Sequence, residues 1–174
     1  MSDDTDACSI AASLGIVGDR WTILILRDAF RGLRRFDEFR RDLDIPRAVL
    51  AERLRRLVDH GVMTRRAYQE RPVRHEYRLT RMGLELSPIL VSLMQWGDRW
   101  CREDGPPTLL VHADCGTEID LHFHCWHCDT PFSATDIASR PGPGEHHRPM
   151  PPLEGADPEE PPGDEPSSHR AATG

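Results

Sequence analysis

Lysine is absent, so the 22 permanently basic side chains of this 174-residue chain are all arginines. Arginine's planar fork suits phosphate oxygens and guanine edges. Genome composition produces an all-arginine set equally well, so the placement of the arginines must decide their meaning. Long apolar runs are also missing; none approaches the roughly 18 residues that a membrane span needs. Met1–Ala7 is acidic and polar, and no basic segment followed by an apolar stretch precedes the first helical pattern, which argues against a secretory leader. No internal repeat is visible, which excludes a repeat array. Together these absences lead to the expectation of a soluble cytoplasmic protein with no membrane partner.

The net charge of −7 at first argues against nucleic acid. The average hides an asymmetry. From Arg20 to Arg81 there are 17 arginines against 9 acidic residues, a net of +8. From residue 105 to 174 there are 3 arginines against 12 acidic residues, a net of −9. A basic segment is coupled to an acidic tail.

Periodicity assigns the elements. Residues 9–18 read as a short helix with Ser9 as cap and Ile10, Leu14 and Val17 on one stripe. Asp19 caps a second helix whose stripe is Trp21, Leu24, Ile25 and Ala29, with Gly32 as its stop. Phe36, Phe39 and Leu43 mark a third, short helix. A break follows around Asp42–Ile45. Pro46 suits the first position of a fourth helix, with stripe Leu50, Leu54 and Leu57 and an end at Gly61. Arg47, Arg53, Arg55 and Arg56 project around its other faces. Two short helices joined by a tight turn, the second bearing the arginines, follow the helix-turn-helix plan.

After Gly61 the period changes to two. Val62–Tyr68 and Val73–Leu79 read as paired strands joined by the turn Gln69-Glu70-Arg71-Pro72, with His75, Tyr77 and Leu79 on one face. A hairpin directly after a recognition helix is a wing. Thr80 caps a long helix to about residue 103, with Leu86, Ile89, Leu90, Leu93, Gly97 and Trp100 along its apolar face. Pro88 kinks it or tightens its first turns. Met94, Trp96 and Trp100 make this helix too apolar for a lone surface helix. A second subunit is expected to cover it through Leu90, Leu93, Met94, Gly97 and Trp100; packing within one subunit is the alternative.

Residues 105–138 read as a separate small Cys/His unit with strands at Leu109-Leu110-Val111 and Ile119–Phe123. Residues 139–174 hold nine prolines in 36 positions and no apolar periodicity, the composition of a disordered tail. The fold class is α+β, mainly α: a winged helix-turn-helix domain over 8–104, a zinc-ribbon-like β unit and an acidic tail.

The order of motifs resembles the HxlR family of winged-helix regulators, relatives of the MarR class. The resemblance covers about residues 8–104. It rests on Cys8, Gly18-Asp19-Arg20-Trp21 with Ile23-Leu24-Ile25-Leu26, and Arg35-Phe36-Asp37-Glu38-Phe39. It continues with Leu50-Ala51-Glu52-Arg53-Leu54-Arg55-Arg56-Leu57, Gly61-Val62, Glu76-Tyr77-Arg78-Leu79-Thr80 and Trp96-Gly97. It implies a homodimeric, sequence-specific regulator of transcription that binds a double-stranded operator and is not an enzyme. One departure stands out: Pro46-Arg47 occupies the point where the family usually has a small hydroxyl residue, so a cap and phosphate contact are lost there.

A helix entering the major groove presents its N-terminal residues to base edges. Arg47 is the candidate for guanine. Ala48 and Ala51 are small enough for close approach or contact with a thymine methyl. Glu52 is a candidate partner for cytosine, or an intrahelical partner of Arg55 or Arg56. Arg53, Arg55 and Arg56 suit phosphates or salt bridges. Arg71 and Arg74 at the wing tip suit the minor groove or its flanking phosphates, and Arg34 and Arg35 suit the backbone.

The cysteines form two problems. Cys8 opens the first helix, where the helix dipole favours a thiolate; the resemblance implies a sensor of oxidants or electrophiles, and an unreactive interface cysteine is the alternative. His112-Ala-Asp-Cys115 and Cys125-Trp-His-Cys128 carry the two-residue spacing of zinc ligands. His122, His124 and His127 are spare ligands. Four donors with no vacancy suggest a structural zinc. Reduced thiols without metal, and a redox pair at Cys125 and Cys128, are the other readings. Cys101, late in the apolar helix, reads as core.

Two other functions compete with DNA binding. A winged helix used purely as a protein adaptor need not carry a basic surplus on its fourth helix and wing. A zinc-dependent enzyme needs a carboxylate beside an open metal position, and no such pattern is present.

Overall fold

The computed structural model of the protein describes residues 8–143. Four helices come first: α1 (Ser9–Val17), α2 (Arg20–Phe30), α3 (Phe36–Leu43) and α4 (Arg47–Asp59). Two strands follow, β1 (Met63–Glu70) and β2 (Val73–Leu79), then α5 (Arg81–Leu84) and α6 (Ser87–Trp100). A short hairpin of β3 (Phe123–Cys125) and β4 (Thr130–Phe132) comes last, before a single 3₁₀ turn at Ala134–Asp136.

Local chemistry explains the boundaries. The Asp19 carboxylate accepts from the backbone N–H groups of Trp21 at 3.0 Å and Thr22 at 3.2 Å, a side-chain cap that starts α2. At the start of α3 the Glu38 carboxylate reaches back to the N–H groups of Arg34 at 3.0 Å and Arg35 at 2.8 Å. These bonds hold the Glu38 carboxyl below its ordinary value, that from Arg34 being the strongest influence. Asp44, in the left-handed region at φ 45°, turns the chain from α3 toward α4. Pro46 stands one position before the first residue of α4, as its cap residue, and supplies no capping side chain.

The predicted stripes become one core. Val17, Ile25, Leu26, Phe39, Ile45, Leu50, Leu54, Leu57, Val62 and Met63 are buried together. Burying one such side chain contributes about 1.5–3 kcal/mol. The same packing fixes how α3 and α4 sit on α2, and therefore which face of α4 is left outside. At the edge of this core the Asp28 side chain is fully buried. Its Oδ1 receives Arg27 Nε at 2.9 Å and Arg31 Nη1 at 3.1 Å. Both arginines also reach Asp42 of α3, at 3.3 and 3.1 Å. Burial pushes the Asp28 carboxyl up despite the two guanidinium groups.

β1 and β2 pair antiparallel, from Met63 opposite Leu79 to Glu70 opposite Val73, with a bulge between Ala67 and Gln69. The wing is therefore longer than the sequence pattern indicates, and its tip is Arg71-Pro72 alone. Its root is tied to the body by Thr80, whose hydroxyl donates to the Gly61 carbonyl at 2.7 Å and accepts from the Gly83 N–H at 3.2 Å. Gly83 passes so close to this root that a Cβ would lie 2.3 Å from the Val62 carbonyl oxygen.

The single helix expected from Thr80 to about residue 103 is divided. α5 ends at Leu84, α6 starts at Ser87 and closes at Trp100, and Pro88 lies in the first turn of α6. Proline fits a first turn because the N–H it lacks has no intrahelical partner there. A second expectation also changes. The alternating run Ile119–Phe123 is not a strand of its own. Val111 and Glu118 form an isolated bridge, and the paired strand begins only at Phe123.

The chain divides into two compact units, the first running to Leu121 and the second starting at His122. Residues 105–121 thus belong with the helical unit and not with a separate module beginning at 105. Gln95 of α6 donates to the Ile119 carbonyl at 2.7 Å, which fastens this segment to the first unit. Apart from residues 139–143, the expected acidic tail lies outside the described residues. No helix among the described residues is long and apolar enough by itself to cross a membrane.

Candidate nucleic-acid interface

The core packing sorts the side chains of α4. Leu50, Leu54 and Leu57 face inward, while Arg47, Ala48, Ala51 and Arg55 are exposed. These four recur at the spacing of one helical face, so a long flexible donor sits at each end with two small residues in between. The Arg47 guanidinium lies 5.4 Å from the ring centre of Phe36 at the start of α3. Arg55 is within 3.7 Å of Asp59 one turn on.

The other sequence candidates on α4 are engaged within the protein. Arg53 is largely covered and its Nε donates to Asp19 Oδ1 at 2.8 Å. Of the two roles open to it in the sequence, salt bridge and phosphate contact, the structure displays the salt bridge. Glu52 contacts this same Arg53, not Arg55 or Arg56 as its helical spacing suggested. Arg56 donates to the Gly15 carbonyl of α1. The Asp19 carboxyl is raised by burial but lowered more by Arg53 and by the N–H groups of Thr22 and Trp21, for a net downward shift.

The wing is set against the start of α3. The Tyr77 N–H donates to the Arg34 carbonyl at 2.7 Å, and Arg35 bridges to Glu76 in antiparallel fashion. The Arg35 guanidinium stacks 4.6 Å from the centre of the Tyr68 ring, a cation–π arrangement. Arg71 and Arg74 are exposed at and beside the wing tip. An open groove of about 510 Å³ separates the wing from the starts of α3 and α4. Arg35, Arg41, Arg47, Arg65, Arg74 and His75 line it, with Asp37 and Glu38 as the acidic members.

Arg41 and Arg65 were not singled out in the sequence. Arg65 had a readable signal, because it pairs with Tyr77 across the hairpin and so shares the face of His75, Tyr77 and Leu79. Its Nη2 lies 3.0 Å from His75 Nδ1. Arg41 had none, since only the placement of the wing brings a groove to it.

The remaining candidates fall elsewhere. α6 has no fully buried residue. Leu90 is half-buried against the core, Met94 and Gly97 are half-buried, and Leu93 and Trp100 are exposed at 50% and 52%. Trp96 on α6, and Ile10 and Leu14 on α1, are exposed as well. Cys8 is exposed immediately before α1. Cys101 is exposed at the end of α6 and does not belong to the core as its helical position suggested. In the first unit His112 Nδ1 lies 3.3 Å from Cys115 Sγ. In the second unit Cys125 is half-buried and Cys128 exposed at the turn after β3. No group of three or more His, Cys, Asp or Glu residues among the described residues is arranged to hold a metal ion.

Comparison with known proteins agrees with this architecture. The model of the HxlR-like helix-turn-helix family matches residues 16–105. The HTH-type transcriptional regulator Rv3095 of Mycobacterium tuberculosis, itself uncharacterised, is 47% identical over 137 residues, covering 78% of this chain and 87% of its own. The uncharacterised HTH-type transcriptional regulator YdeP of Bacillus subtilis is 34% identical over 100 residues, 57% of this chain and 78% of its own. Among solved structures, the candidate transcription factor PA1607 superposes with a TM-score of 0.69 at 38% identity, covering 83% of this chain and 100% of its own. The candidate transcription factor PA1374 of Pseudomonas aeruginosa gives a TM-score of 0.59 at 36% identity, over 80% of this chain and 95% of its own. With the helix-turn-helix, the wing and a matching model over half its length, this chain belongs to the HxlR-like helix-turn-helix family.

Proposed function

We propose that this protein is a DNA-binding regulator of transcription that engages its operator as a homodimer, with α4 in the major groove and the β1–β2 wing against the adjacent backbone or minor groove. The observation that carries the reading is the outward face of α4. Arg47, Ala48, Ala51 and Arg55 stand free of the core on the second helix of a helix-turn-helix. Arg47 offers a two-pronged donor to guanine, and the alanines let the helix approach the base edges. Arg34, Arg35, Arg71 and Arg74 supply phosphate contacts, which position the protein without reading sequence. Arg53 and Arg56 act indirectly by holding α4 to α2 and α1.

Dimerisation follows from apolar surface. Leu93, Trp96 and Trp100 on α6 and Ile10 and Leu14 on α1 are all at least half exposed in the single chain. Exposed large apolar side chains in such number mark an interaction face. A second copy gives a twofold operator two recognition helices. Cys8, exposed at the start of α1, is placed next to this face in sequence, and its modification by oxidants or electrophiles is proposed to alter DNA affinity.

An electrophoretic shift on DNA from upstream of the protein's own reading frame tests the main reading. Specific retardation that survives excess unrelated DNA supports it; binding no tighter than to random DNA contradicts it. Repeating the titration after diamide treatment, on the wild type and on Cys8→Ser, tests the thiol. Equal affinity before and after treatment removes the redox part alone.

A further inference from the structure

The groove between the wing and the starts of α3 and α4 has two charged walls. Arg65, Arg74 and His75 stand on the wing side, and Arg35, Arg41 and Arg47 on the helical side. Their surroundings set these arginines apart. Elsewhere Arg31, Arg53, Arg78 and Arg81 are each paired with a carboxylate. In the groove, Arg41 and Arg74 make no hydrogen bond or ion pair among the described residues. Arg47 and Arg35 lie against the rings of Phe36 and Tyr68, and the Glu38 carboxylate is 3.9 Å from Arg35. Arg65 meets His75 Nδ1 at 3.0 Å. A guanidinium can only donate, so the imidazole nitrogen accepts this bond and cancels none of the charge.

Two carboxylates share the groove, and neither neutralises it. Glu38 is engaged with the backbone N–H groups of Arg34 and Arg35. Asp37 is exposed, and although Arg41 stands one turn further along α3, the two form no ion pair among the described residues. Positive charge gathered without partners repels itself, and an anion in the groove relieves that repulsion. The groove is open, so it suits a chain of anions passing along it better than a small ion that must be enclosed. Its position names the chain. Arg47, on one wall, is the residue assigned to guanine in the major groove. With α4 in that groove and the wing beyond its edge, the sugar-phosphate strand bordering the major groove runs between the two.

We propose that one sugar-phosphate strand of the operator threads this groove, held from the helical side by Arg41 and from the wing side by Arg65. The inference rests on the DNA-binding reading above and deepens it: the helix-turn-helix and the wing act as two jaws on one strand. Arg41 and Arg65 are positioning residues, since contacts to phosphate fix register without reading sequence. Asp37 lies on the path of the strand and opposes it, which weakens binding to every sequence alike.

The test measures operator affinity of the full chain against salt concentration for wild type, Arg41→Ala, Arg65→Ala and Arg81→Ala, the last paired with Glu85 outside the groove. Arg41→Ala and Arg65→Ala should each flatten the salt slope by about one, so that an increase in salt of about fourfold costs roughly fourfold less affinity than in wild type. Arg81→Ala should keep the wild-type slope. Replacing operator phosphates one at a time with neutral methylphosphonate locates the strand. A short run of adjacent positions on one strand of each half-site should weaken the wild type. At those positions Arg41→Ala and Arg65→Ala should add no further loss, a coupling that a merely structural role would not produce. Asp37→Asn should bind all sequences more tightly, by roughly 1.5- to 5-fold, the worth of one exposed charge contact; misfolding cannot mimic a gain. Wild-type slopes in both arginine variants, with Arg47→Ala still weakened, overturn the threading and leave the DNA reading intact. Phosphate effects that simply add to the arginine losses, or no gain in Asp37→Asn, overturn it as well. Inorganic pyrophosphate binding that both arginine variants lose while DNA binding is unchanged overturns it in favour of a small-anion site. A wild type that binds no operator overturns both readings.

Discussion

Asp19 joins two structural tasks in one carboxylate, and Asp19→Ala separates them. The side chain caps α2 through Trp21 and Thr22 and receives Arg53 from α4 at 2.8 Å. Loss of an aspartate cap costs about 0.5–2 kcal/mol. The ion pair joins groups whose side chains are 21% and 36% exposed, and an exposed pair contributes about 0.2–1 kcal/mol. The variant should therefore be less stable by about 1–3 kcal/mol. Arg53→Ala should lose only the pair and the packing of its aliphatic stem. The double variant should then fall short of the sum by about 0.2–1 kcal/mol, because the pair is removed once. Urea unfolding followed by circular dichroism, at one fixed chain concentration, measures all four proteins. The acid range supplies a sign. The folded Asp19 carboxyl lies below its ordinary value. Its contribution is thus present above the unfolded-state pKa, roughly 3.9, and fades as pH falls through the lower folded one. The gap between wild type and Asp19→Ala should narrow in acid. Strict additivity in the double variant, or a gap that is constant into acid, would refute the coupled role.

Three further outcomes follow from the geometry. Gly83→Ala places a Cβ 2.3 Å from the Val62 carbonyl and should destabilise by about 1–3 kcal/mol through overpacking, seen as a lower urea midpoint. Leu54→Ala empties a fully buried site between α4 and the core and should cost about 2–5 kcal/mol by the same measurement. Leu93→Glu puts a charge on the exposed face of α6. It should shift sedimentation toward the monomer and weaken operator binding, while leaving the helical circular dichroism unchanged. A variant that still sediments as a dimer would move the interface off this face.

The local signals were those that the sequence displayed best. Asp19 read as a cap because aspartate just before an apolar period has one favoured use, and the structure has it there. Leu50, Leu54 and Leu57 read as one stripe and are buried. Signals that depend on what lies opposite failed. The periodicity from Thr80 to Trp100 is continuous, yet the chain breaks after Leu84. Ile119–Phe123 alternates perfectly, but only Phe123 finds a strand partner, Phe132. Among the arginines, sequence position could not tell a free guanidinium from an engaged one. Arg47 and Arg53 sit on the same helix, and only tertiary packing brings Asp19 to the second. The wing hid its bulge for the same reason, since Tyr68 is extra only relative to the strand across from it.

The central claim is that α4 reads DNA while the wing only holds it. Operator affinity measured against salt concentration, for wild type, Arg47→Ala and Arg74→Ala, tests this most directly. Arg47→Ala should lose about 1–3 kcal/mol, roughly 5- to 150-fold in affinity, and relax discrimination at the base it contacts. Arg74→Ala should weaken all sequences alike and flatten the salt slope by about one. Unchanged affinity and sequence preference in Arg47→Ala, with a wild-type slope in Arg74→Ala, would contradict the assignment of both elements.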